Sequence, residues 1–154
     1  MYTRILSIAL LFLMSLITVY AQTGKELIPD HPVTMDHNTN DKRISLNLPH
    51  RMKAQQLANM RSHVEALREI IGLLAKGDFD RASAVAHRKL GLTEDMKRMC
   101  GMFPNEDFRA IGLQFHRSAD DLAETLRTRD MAKALQGLHD TMDYCVQCHA
   151  TFRQ

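Results

Sequence analysis

Neither sign of charge dominates this chain. Its 20 Lys and Arg residues stand against 18 Asp and Glu, a formal net charge of +2. Nucleic-acid binders show a clustered basic excess, so that class gets no support here. A hydrophobic run of spanning length is also missing. The apolar stretch over residues 5–20 falls short of the roughly 20 apolar residues a transmembrane helix needs. No segment alternates apolar and polar side chains in the manner of a half-buried strand. Three cysteines are present, Cys100, Cys145 and Cys148; with no second close pair, a four-thiolate zinc site cannot be assembled. Nor does the sequence bring together a nucleophile, a base and an orienting group, so we expect no enzyme.

What the chain does have begins with an export-type N-terminus. Arg4 precedes the apolar run, and Val19, Tyr20 and Ala21 end it in a small-residue pattern suited to signal peptidase. Residues 1–21 are therefore expected to be a cleaved signal peptide, leaving no stable membrane insertion, and loss of Arg4 takes the net charge close to neutral. Residues 22–47 are polar and broken by Pro29 and Pro32, the composition of a flexible leader. His31, Met35 and His37 within it are most simply solvated. The exported chain is one domain's worth of residues, long enough to bury a core.

From residue 48 onward the pattern is helical. Over residues 51–76, Leu57, Met60, Val64, Leu67, Ile71 and Leu74 recur at spacings of three and four, one face of a helix, and Gly77 ends it. A second segment spans residues 80–90, narrow because it is rich in alanine, and residues 93–99 are expected to continue it past Gly91. Asn105 caps a third helix carrying Phe108, Ile111, Phe115, Ala119, Leu122 and Leu126 on one side. Asp130 caps a fourth, with the stripe Met131, Leu135, Leu138, Met142, Cys145, His149 and Phe152. Four amphipathic segments with short connections predict an all-α fold, an antiparallel four-helix bundle. His87, His116 and His139 fall on or near polar faces and read as surface groups.

The chemistry sits near the C-terminus, where Cys145, Val146, Gln147, Cys148 and His149 form C-x-x-C-H. That motif lets two thiols add to the vinyl groups of a heme while the adjacent imidazole takes an axial site on iron. At about 100° per residue the three side chains lie within about a quarter turn of helix, so one helix can present all of them to one flat macrocycle. Attachment accounts for two cysteines of an odd set. Cys100, flanked by Met99 and close to Met102, is expected to be buried. A dithiol of the thioredoxin kind would want a strand before the motif and a helix after it, and here a helix precedes it.

The terminal C-x-x-C-H-x-x-F-R, residues 145–153, on an exported four-helix chain resembles the class II c-type cytochromes, the cytochrome c prime family. The resemblance covers residues 48–154 and includes Lys76 and Gly77 at the end of the first helix. It implies one covalent heme c, attached at Cys145 and Cys148 with His149 as proximal ligand, a periplasmic location, and a homodimer packed through the first two helices. It also implies either a one-electron carrier with a redox protein as partner, or a five-coordinate binder of small gases such as NO and CO. The two differ in the residue facing the iron from the first helix. Laying residues 57–60 on the family's first helix puts Leu57 there, an apolar distal side; counting back from Lys76 puts Met60 within one residue of the site. A thioether is a soft ligand that raises the reduction potential when paired with histidine, which favours Met60 and the carrier. His63 is the third candidate, about 60° off the apolar stripe, and is expected at the pocket edge or in solvent. Arg153, by match to the motif, and Lys53, one turn before Leu57, are candidates to meet the heme propionates.

Overall fold

A computed structural model describes residues 41–154, which form one compact unit, Asp41–Gln154. The expected signal peptide, most of the leader, and His31, Met35 and His37 lie outside the described residues. Among the described residues the fold is all-α: helix α1 is His50–Leu74, α2 is Phe79–Val85, α3 is Glu94–Gly101, α4 is Glu106–Arg127 and α5 is Met131–Thr151. A strand pair, β1 (Ile44–Ser45) with β2 (Phe152–Arg153), runs parallel in the register Ile44 to Phe152 and Ser45 to Arg153. No described helix is long and apolar enough to cross a membrane.

Local chemistry sets the helix ends. Gly77 adopts φ 70°, the left-handed turn that glycine enters without a Cβ penalty, and the Asp78 amide reaches back to the Leu73 carbonyl at 3.0 Å. Asp78 itself caps α2 by accepting from the Arg81 amide. Helix α2 then widens into a π-turn, Ala86–Leu90, and stops at Gly91, where the chain is extended. Residues 93–99 do not continue it, contrary to expectation. The Thr93 hydroxyl accepts from the Met96 amide and starts α3 as a separate helix. Asn105 and Asp130 cap α4 and α5 as expected, the first accepting from the Phe108 amide at 2.8 Å, the second from the amides of Ala132 and Lys133.

The expected leader boundary shifts. Residues 41–47 belong to the same unit as the helices, because β1 pairs with the end of the chain and the Leu46 amide donates to the Arg153 carbonyl at 3.0 Å. Arg43 reinforces this by donating to the His149 carbonyl.

Helix α1 is turned relative to the stripe its sequence displays. Its buried residues are Gln56, His63, Ala66, Leu67, Ile70, Leu73 and Leu74, while Leu57, Val64 and Ile71 are 41%, 66% and 50% exposed. Two polar residues, Gln56 and His63, sit on the inward line, and an apolar count passes over them. Helix α5 shows the same effect more mildly: Leu138 and Phe152 are buried, but Ala134 and Thr141 take the inward places of Met131, Leu135 and Met142, which are exposed. Thr141 is tolerated because its hydroxyl donates to the Gly137 carbonyl at 2.9 Å.

The core has two parts. The larger joins α1, α2, α4 and α5 through residues such as Ile70, Leu90, Leu122, Leu126 and Leu138, each contributing about 1.5–3 kcal/mol by leaving water. The smaller is a set of aromatic rings, Phe103, Phe108 and Phe152, with Leu46, Leu48, Met52 and Cys148 packed on it. Helix packing is most extensive between α4 and α5 and between α2 and its neighbours α1 and α4. Helix α1 faces α4 and α5 across a cavity that both core clusters border.

Candidate functional site

That cavity has a volume of about 310 Å³, at the lower end of the range of roughly 300–1,000 Å³ found for small-molecule sites. Its wall is chiefly apolar. Helix α5, capped by Asp130, runs unbroken through the C-x-x-C-H residues, so Cys145, Cys148 and His149 all border the same space. Cys145 is half-buried against the larger core, Cys148 half-buried against the aromatic cluster, and His149 is an exposed residue on the border. From the facing helix α1 come Asn59, Met60 and His63; α3 and α4 add Cys100, Phe115 and His116.

The thiols are poor nucleophiles as they stand. Burial, and secondarily the neighbouring Cys145, pushes the Cys148 thiol up to about 11, and burial also raises Cys145 and Cys100. Redox dithiols instead depress one thiol, to roughly 3.5–7. All three cysteines are free thiols, and among the described residues no group of three or more His, Cys, Asp or Glu side chains converges as a metal ion would need. Cys100 is buried, as expected.

The other sequence candidates divide. Met60 borders the cavity, half-buried. Leu57 does not reach it and is two-fifths exposed, because it lies about 120° around the helix from the inward line through Gln56, His63 and Ile70. His63, expected at the edge or in solvent, is only 8% exposed and lies on that line. Its ring stacks on Phe115 with centroids 4.9 Å apart and meets the edge of His116 at 5.5 Å. Desolvation, with His116 beside it, lowers its pKa to about 4. Lys53 is exposed and lies off the cavity, and Arg153 also lies off it, near Asp41 at 3.7 Å.

His116 corrects the surface reading. It is 4% exposed and its Nδ1–H donates to the Leu90 carbonyl at 2.6 Å, while burial lowers its pKa. Phe115, its neighbour on the apolar stripe, gave the available signal: the next residue round a helix flanks the stripe rather than opposing it. His87 and His139 are exposed as expected, paired with Asp120 and Asp140. Sequence reasoning also missed Arg109. Among the described residues it is the basic side chain on the cavity wall, held by donation to the Phe103 carbonyl at 2.9 Å and lying near Glu106.

These residues fit a heme. Two thiols and an imidazole lie on one helix, neutral donors on the helix across, apolar walls between, and a guanidinium stands on the border for an acidic edge. The chain matches no protein-family model, no curated protein and no solved structure.

Proposed function

We propose that the protein is an exported, periplasmic c-type cytochrome that carries single electrons, its helices arranged as an antiparallel four-helix bundle around one heme c. The observation that carries this is that both cysteines of C-x-x-C-H and the histidine after them border a single apolar cavity. When bound, heme supplies an iron that exchanges one electron between its ferric and ferrous forms.

The chain's own residues do the rest. Cys145 and Cys148 would hold the group by adding their thiols across its vinyl groups, and His149 would offer its imidazole to the iron. Helix α1 borders the cavity from the other side with Met60 and His63, and a soft or neutral donor from there would keep the iron's surroundings similar in both oxidation states. Phe108, Phe115 and Leu67 line the cavity with apolar surface, which would keep water from a bound heme and raise the weight of each nearby charge. Arg109, which borders the cavity where Lys53 and Arg153 do not, would be the basic residue to meet the propionates. A redox protein is the partner on this reading. Leu57 and Ile71, exposed on α1 and off the cavity, lie on the surface a second copy would cover in a homodimer. The gas-binding alternative relied on Leu57 as an apolar distal residue, and Leu57 lies outside the cavity.

The test is to produce the full chain in a host that matures c-type cytochromes and to extract the purified protein with acidified solvent. Red colour that stays with the polypeptide supports the reading; colour that leaves with the solvent, or was never there, removes it.

A further inference from the structure

Resting on the reading of the cavity as a heme site, we propose that His63 is the second axial ligand, giving the iron a histidine on each side. Three observations on α1 lead to it. The buried line of that helix runs through Gln56, His63, Ile70 and Leu74. Met60 sits three residues from His63 and hence about 60° off that line, and it is half-buried where His63 is 8% exposed. Both side chains border the cavity, and of the two the imidazole is the more deeply buried.

The ring is also held and chemically free. Phe115 stacks on it with an interplanar angle of 34°, and His116 meets it at 82°. His116 is itself fixed, its Nδ1–H committed to the Leu90 carbonyl, so it can wall the ring but not swing away. Among the described residues no hydrogen bond engages either nitrogen of His63; its packing is aromatic. Gln154 Oε1 is the described side-chain atom buried without a partner, so the His63 nitrogens are not sealed in; the ring borders the cavity, and one nitrogen is free to take iron. Among the described residues no carboxylate borders the cavity, so none of them favours a charged imidazolium over the neutral ring that binds metals.

The experiment uses the heme-loaded full chain and reads electronic absorption and electron paramagnetic resonance. Wild type is expected to be low-spin in both oxidation states, without the far-red sulfur-to-iron band, and slow to take up carbon monoxide. His63→Ala should become high-spin and bind carbon monoxide readily, and added imidazole should restore the low-spin spectrum. Met60→Ala should stay low-spin with no sulfur band to lose, any change being confined to a small shift of the absorption maxima. Should His63→Ala not fold, His63→Met keeps the bulk and is expected to create the sulfur band that wild type lacks. A sulfur band in wild type that disappears in Met60→Ala would overturn the proposal, as would a high-spin wild type. A protein that takes up no heme would instead remove the underlying reading, and this proposal with it.

Discussion

Phe152→Ala probes the part of the fold that closes one end of the cavity. Phe152 is buried at the start of β2, directly after α5, and meets Phe108 edge to face at 5.4 Å; Phe108 meets Phe103 the same way at 4.8 Å. Truncating a buried phenylalanine costs about 3–5 kcal/mol. Because the cluster borders a cavity, its neighbours have room to relax, and we expect the lower end, about 3 kcal/mol. Domains of this size hold about 5–15 kcal/mol in all, so the variant should still fold. With a urea dependence of about 1–3 kcal/mol per molar, its midpoint should drop by about 1–3 M. Far-ultraviolet circular dichroism in urea reads this on the full chain. A double-mutant cycle with Phe108→Ala should return a coupling of about 0.5–1.5 kcal/mol for the aromatic pair. A loss below about 1 kcal/mol, or strict additivity, would show that the ring cluster does not hold the C-terminal end of α5.

Other outcomes follow from the same coordinates. Gly91→Ala would drive a Cβ into the His87 carbonyl and the Asp120 carboxylate, which also accepts from the Leu92 amide at 2.9 Å; a loss of about 1–3 kcal/mol is expected in thermal melts, and an unchanged melting temperature would contradict the close approach. Asp130→Ala removes the acceptor for two α5 amides and should cost about 1 kcal/mol, most of it recovered in Asp130→Asn. Asp41 should make the strand pair acid-sensitive. Hydrogen bonds from the Arg43 side chain, then its amide, hold that carboxyl near 2, against 3.8 ordinarily. A depressed carboxyl stabilises above its ordinary value and loses the effect as pH falls through the folded one. Protection of the Leu46 amide from hydrogen exchange should thus hold down to about pH 4 and fall towards pH 2; protection that is flat over that window would rule the tether out.

Much of this was legible from residues alone. Caps are local chemistry, and Asn105 and Asp130 declare theirs. C-x-x-C-H marks its own helix face at any register, so Cys145, Cys148 and His149 come together as the spacing requires. Which face of α1 points inward was not legible, because that helix carries two candidate lines. One is apolar, Leu57, Val64 and Ile71, and stays exposed; the other contains Gln56 and His63 and is buried. A hydrophobic count prefers the first, whereas the packing of α1 on its neighbours buries the second. That turn of α1 displaces Leu57, brings His63 in and leaves Met60 on the border. Arg109 and His116 are each fixed by a carbonyl, Phe103 and Leu90, contacts with no signature in helical spacing, although the place of His116 beside Phe115 on the apolar stripe was legible. Nor does composition mark the pairing of Ile44 with Phe152, a contact between two-residue strands at opposite ends of the unit.

The most direct measurement is the mass of one tryptic peptide. Cleavage after Lys133 and Arg153 releases residues 134–153, which contain Cys145 and Cys148 and no internal Lys or Arg. From protein made in heme-maturing cells, that peptide should carry the added mass of one heme and resist alkylation at both sulfurs. A peptide of unmodified mass, with both thiols open to alkylation, would contradict the account at its root.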